Sequence, residues 1–229
     1  MAILSLSIYG SRSRGDYSES SDIDLFAITD NDHYKMVVNG ITNMACYPTS
    51  LALQRASEGD LFILHLCKEA KEIYHSEFSL NQLKDAFKYK DSYSHEIMCA
   101  SDLAWYLIDF NNEVRNPLLI NKRIAWCVRT IIIAKSAESR QPVFSTKGLI
   151  EFSRMPDVYK LISLKNSVNF NKNCVSLLET FLKSMGLNRP STIIDNTQSY
   201  YDLFNMTNNT MGIKTFERLE SESLFTGYI

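Results

Sequence analysis

The sequence predicts an α+β protein: a small mixed-sheet domain over residues 1–90, then a helical domain over residues 91–229 with a flexible tail. Three observations carry that reading. Leu4, Leu6 and Ile8 alternate with Ser5 and Ser7, the period of a half-buried strand. A second apolar strand, residues 22–28, is followed by Asn39-Gly40 between apolar runs, a hairpin signal of the type I′ kind. From about residue 93 to residue 185 the apolar spacing is helical.

The elements follow in order. Residues 1–47 read as strand, loop, strand and hairpin. Pro48 to Ser50 ends that part of the sheet, and 50–58 is helical in pattern. Residues 60–74 read as a helix or a short strand ending at Ile73-Tyr74. The polar stretch 75–92, with Lys84, Lys88 and Lys90, is expected to lead between domains. Ile97, Leu103, Ala104, Leu107 and Ile108 mark a helix over about 93–115, which Asn116-Pro117 breaks. A second helix, about 118–138, carries Ile120, Ile124, Val128, Ile131 and Ile132 on its apolar side. Further helices are expected near 146–153, 157–165 and 172–185, the last stopped by Gly186. Residues 188–229 are polar and less regular, with a helix at 198–206.

Composition bounds the class. With 229 residues, 45% hydrophobic and 22% charged, this is an ordinary globular chain with room for one large or two small cores. A net charge of −2 does not advertise a nucleic-acid binder, though it leaves room for a local basic channel. Cys46, Cys67, Cys99, Cys127 and Cys174 are scattered, with no Cys-x-x-Cys pair. That pattern fits reduced, buried thiols in a cytoplasmic protein and argues against zinc. No signal peptide precedes the first strand, and no apolar run is long enough to span a bilayer.

The chemistry concentrates in residues 10–25. The first strand runs into Gly10-Ser11, where glycine permits a sharp bend and close approach of a ligand. Ser11 offers a hydroxyl and a backbone N–H to a phosphate oxygen, with Arg12 and Arg14 adding positive charge beside it. Asp22 and Asp24, two apart on a strand, share one face, while Ile23 and Leu25 are expected to face the core. Two carboxylates on one face are hard oxygen ligands suited to Mg²⁺, and such a site activates a hydroxyl and steadies leaving pyrophosphate. A bare Asp-x-Asp in an acidic surface loop is the competing reading. The Gly-Ser turn and its spacing favour the catalytic one.

Gly10-Ser11 followed by Asp22-Ile23-Asp24-Leu25 resembles the signature of the DNA polymerase β-like nucleotidyltransferase superfamily. Arg12, Gly15, Ser21 and Ile23 resemble its minimal, defence-associated branch, and the specific match covers about residues 3–28. The resemblance implies Mg²⁺ (or Mn²⁺), an NTP or dNTP substrate, and transfer of a nucleoside monophosphate to a hydroxyl. It also implies a helical domain closing one wall of the nucleotide cleft. Lys122, Arg123 and Arg129 would then contact the triphosphate, against the alternative of a solvated helix face. Arg129 lies deepest in the apolar helix and needs a partner.

Two departures stand out. Members of that superfamily usually carry a third carboxylate on a later strand, yet residues 41–47 hold no acid. Asn43 offers an amide oxygen but no general base. Either Asp22 and Asp24 suffice, or Glu58, Asp60 or His65 completes the site, or catalysis is impaired. The signature strand also begins almost at Met1, where relatives usually have a preceding helix. At the other end, Gly227-Tyr228-Ile229 sets a hydroxyl near the terminus. The layout is similar to the nucleotidyltransferases of bacterial antiphage systems, notably the Hailong type. That likeness implies a single-stranded oligonucleotide product, with Tyr228 as a self-acceptor, and an effector or antitoxin partner protein. The competing reading of Tyr228 is an aromatic end that docks or frays.

Overall fold

The computed structural model describes residues 2–19, 21–110, 116–191 and 196–225, with side chains to residue 221. It divides into two compact units, Met1–Asp91 and Ser92–Ile229. Tyr228 lies outside the described residues.

The first unit runs β1 (Ile3–Tyr9), α1 (Gly10–Arg14), β2 (Ile23–Thr29), β3 (Lys35–Asn39), β4 (Thr42–Pro48), α2 (Thr49–Ser57), α3 (Leu61–Glu69), β5 (Lys71–His75) and α4 (Leu80–Ala86). Its five strands form one sheet in the order β3-β4-β2-β1-β5. β2 and β4 are parallel and the other neighbours antiparallel, so the sheet is mixed, as expected. The hairpin between β3 and β4 differs in detail. Asn39 still pairs with Thr42, so the loop is Gly40-Ile41. Positive φ is confined there to Gly40, the pattern of a type II′ turn.

The structure reverses the expected faces of the first two strands. Ser5 and Ser7 are buried at 3% and 1% exposure, whereas Leu6 and Ile8 are half-buried. Ser7 pairs with Phe26 and Tyr9 with Asp24; across β4, Asp24 pairs with Asn43, Phe26 with Ala45 and Ile28 with Tyr47. Residues paired this way share a face. The core on that face joins Phe26, Ile28, Ala45 and Tyr47 to Ala52, Ile63, Leu66 and Leu83. Asp24 therefore shares a face with Phe26 and Ile28, and Ile23 and Leu25 share the other with the buried Ala27. A period of two says which residues share a face; the helices that cover one face decide which is inside.

Two segments are more ordered than their composition predicts. Residues 60–74 form both a helix and a strand, with β5 pairing on β1. The stretch expected to be a linker holds α4, opened by a Ser79–Gln82 capping box. Phe78, Leu80 and Leu83 are buried in the core of the first unit. Because Leu83 is fully buried, Leu83→Ala is expected to cost about 2–4 kcal/mol, read as a lower urea midpoint with unchanged slope. A true linker residue would cost almost nothing.

The second unit is helical: α5 (Ser94–Asp109), α6 (Pro117–Glu138), α7 (Thr146–Ser153), α8 (Val158–Ser163), α9 (Asn173–Ser184), α10 (Thr197–Met206) and α11 (Thr210–Phe225). The Asn116-Pro117 step that breaks the pattern also starts α6. Asn116 caps it, accepting from the Leu119 N–H at 2.9 Å, and Pro117 occupies its first turn. Residues 99–108 of α5 are all buried, the mark of a central helix. The region expected to be irregular after residue 188 contains α11 as well as α10. Tyr200 and Phe204 of α10 and Phe216 of α11 pack around Tyr106. Polar residues on single helical turns hid that aromatic stripe. Among the described residues no helix is long and apolar enough to cross a membrane.

Candidate active site

Gly10 sits at the end of β1 with φ of +73°, a conformation glycine adopts without steric cost. A Cβ there would stand 3.1 Å from Asp24 Oδ2. The glycine thus serves two ends: it turns the chain into α1 and leaves room for a carboxylate oxygen. Ser11 lies in the first turn of α1, and its carbonyl accepts from the N–H groups of Gly15 and Asp16 at 2.9 and 3.1 Å. Gly15, at φ of +85°, ends the helix.

The short helix is held from below. The Ser13 hydroxyl donates to the backbone carbonyl of Glu69 at the end of α3. The Glu69 carboxylate receives Arg14 at 2.5 Å and His65 Nε2 at 2.8 Å. Burial opposes the Glu69 charge, but the bonds from His65 and Arg14 prevail and hold its carboxyl below the usual value. Arg14 also pairs with Asp16 at 3.1 Å. Sequence reasoning missed Ser13 and Glu69 because their partners lie 55 or 56 residues apart. No local spacing carries that information.

Arg12 reaches forward instead. Its guanidinium donates to the carbonyls of Ser21 at 2.9 Å and Asp22 at 3.2 Å, and lies over the Tyr17 ring at 4.8 Å. It therefore fixes the backbone that carries Asp22. The Ile23 N–H donates to the Ile41 carbonyl at 2.7 Å, tying the start of β2 to the hairpin. Asp22 is exposed just before β2; Asp24 is half-buried within it.

Asp24 stands between Tyr9 on β1 and Asn43 on β4. Burial above all, and then the Asp24 charge, push the Tyr9 phenol well above its ordinary value, so it stays protonated. The Tyr9 ring packs edge-on against Phe62 and His65, with centroids 5.4 and 5.5 Å apart. The strand without an acid thus places Asn43 directly beside Asp24, on the same face.

The three candidates for a supplementary base have structural partners. Asp60 caps α3, accepting from the N–H groups of Phe62 and Ile63 at 2.8 and 3.1 Å. Glu58 receives the Gln54 amide at 2.9 Å. His65 belongs to the Glu69 network. Of the basic residues in the second unit, Arg129 donates to the Phe144 carbonyl at 3.0 Å, the partner that its depth required. Lys122 is exposed and Arg123 half-buried. Burial foremost, and the nearby Arg218 charge, lower the Arg123 pKa, while Cys127 opposes this.

Among the described residues no three His, Cys, Asp or Glu side chains gather as a metal cage. Asp22, Asp24 and Asn43 instead supply two carboxylates and an amide oxygen. That set fits Mg²⁺, which commonly takes one or two protein carboxylates and completes its shell from water and substrate phosphates. The absent Cβ of Gly10 lets Asp24 Oδ2 lie close to the Gly-Ser turn.

Residues 3–93 match the family model of the nucleotidyltransferase domain. That match covers nearly all of the first unit and supports nucleotidyl transfer as the enzyme class. No curated protein matches the chain. Among solved structures it is similar to a nucleotidyltransferase-like protein from Exiguobacterium sibiricum, at 14% identity and a TM-score of 0.33, over 89% of this chain and 74% of that one. At that distance the likeness carries no argument.

Proposed function

We propose that the chain moves a nucleoside monophosphate from an NTP or dNTP to a hydroxyl in a Mg²⁺-dependent reaction. The acceptor oxygen forms a bond to the α-phosphorus, the bond from that phosphorus to the bridging oxygen breaks, and pyrophosphate leaves with the electron pair. The placement of Asp24 at the Gly10 turn, beside its register partner Asn43, carries the reading. Ser11 binds a phosphate oxygen through its hydroxyl and N–H, and Gly10 lets that phosphate approach the backbone. Asp22 and Asp24 hold the metal, with Asn43 as a neutral third donor. When bound, the metal offsets phosphate charge and makes the acceptor hydroxyl more acidic. Arg12 and Arg14 act through the loop and through α1: their partners are Ser21, Asp22, Asp16 and Glu69.

The product that fits the antiphage resemblance is an oligonucleotide, primed on another nucleotide or on Tyr228 and read by an effector protein. Protein, tRNA and aminoglycoside hydroxyls are the competing acceptors. One observation favours a second reading, a nucleotide-binding module without turnover: the position beside Asp24 holds an amide in place of an acid. The discriminating experiment incubates the full chain with each NTP and dNTP plus Mg²⁺ or Mn²⁺ and resolves products, the protein included, by mass spectrometry. Ladders, a mass gain on the protein, or a modified added acceptor each identify the acceptor. Metal-dependent nucleotide binding with no pyrophosphate under any acceptor overturns catalysis and leaves the binding module.

A further inference from the structure

The second unit contains an acid that its fold does not use. Asp102 lies in the middle of α5 at 6% exposure, flanked by Ser101 at 5% and the fully buried Leu103. Among the described residues its carboxylate has no hydrogen-bond partner and no ion pair. It lines a cleft of about 340 Å³, made entirely of residues of the helical unit. An unpaired carboxylate in a core helix is a cost that the fold could avoid with any neutral residue.

The walls say what would compensate it. Ile97, Met98, Gly186 and Leu187 are apolar, Ser94, Ser101 and Asn188 are neutral and polar, and Glu138 is the other acid. No lysine or arginine lines the cleft. Glu138 Oε1 already accepts from the Ser92 hydroxyl at 3.1 Å and the Tyr93 N–H at 2.8 Å, which holds the start of α5. Burial raises the Asp102 carboxyl from 3.8 to about 6, so it is charged at pH 8 and faces the cleft as an uncompensated anion. Its charge is felt nearby: burial and then Asp102 push the Cys99 thiol up to about 11.

We propose that this cleft binds an organic ammonium group on an aliphatic body, with Asp102 receiving the ammonium and Ile97, Met98 and Leu187 enclosing the chain. A bare divalent cation fits less well. It asks for several hard oxygens, and of the two acids here one is engaged in holding α5. The volume exceeds what an ion needs and suits a chain of several carbons. The inference is independent of the nucleotidyl-transfer reading.

The test titrates the full chain at pH 8 with pentylamine and, separately, with 1-pentanol, following binding by saturation-transfer NMR. The amine is expected to bind at least about tenfold more tightly than the alcohol, since a charge-assisted bond is the difference between them. Asp102→Asn removes that preference. It melts at or above the temperature of the unchanged protein at pH 8, because the buried charge is gone. Met98→Trp, at the half-open rim, blocks the mouth and weakens both ligands. Equal binding of amine and alcohol overturns the proposal, as does a preference that survives Asp102→Asn or displacement of pentylamine by an equal concentration of MgCl₂. Should Asp102→Asn give no cooperative melt, Met98→Trp decides: lost amine binding supports the site and unchanged binding overturns it.

Discussion

Asp24→Asn is expected to lower transfer of an α-labelled nucleotide by about 10³-fold while leaving the thermal melt intact. Metal-borne charge stabilisation is worth several kcal/mol, and each 1.4 kcal/mol is about tenfold in rate. Of the two proposed ligands, Asp24 is the one set within the sheet, between Tyr9, Gly10 and Asn43. Asp22, exposed before the strand and held through its carbonyl by Arg12, is expected to give a smaller loss alone. The double replacement with alanine abolishes transfer. Pyrophosphate release in radiolabelled or coupled assays reads both. Full activity in the double variant means that the metal site lies elsewhere.

Asn43→Asp is expected to act in the opposite direction. Asn43 is the register partner of Asp24 on the parallel strand β4, so an acid there adds a third carboxylate on the same face. The Mg²⁺ concentration for half-maximal transfer should fall by about tenfold, since affinity at oxygen sites follows the number of charged ligands. Without metal the same variant should melt lower, because two like charges stand on adjacent strands. If the unchanged chain is a silent binding module, Asn43→Asp is the substitution expected to create turnover. A variant with unaltered metal dependence and unaltered melt would remove β4 from the site.

Much of the candidate site was legible because its parts are local. A strand, Gly10-Ser11, a spacer and Asp22-x-Asp24 are all read between residues 3 and 24, and strand alternation needs no tertiary knowledge. The absence of an acid over residues 41–47 was equally plain. The partners that position these groups were not legible. Glu69 supports α1 from 55 residues away, and Asn43 comes beside Asp24 only through the β2–β4 pairing. His65, Asp60 and Glu58 looked available in the sequence; helix geometry gives each of them a local partner.

The sequence by itself determined the strand, loop, strand and hairpin order of residues 1–47, the Gly-Ser turn, the aspartate pair and the change to helical spacing near residue 93. Those are properties of short-range periodicity and of residues with special backbone freedom. Only the tertiary structure decided which face of the sheet is inside. It buried Ser5 and Ser7, put Asp24 on the face of Phe26 and Ile28, and turned an apparent linker into α4. It also showed that Asp102 is buried without a partner. The reason is common to all four: burial depends on what packs from a distance, and a chain's local pattern records only which residues turn the same way.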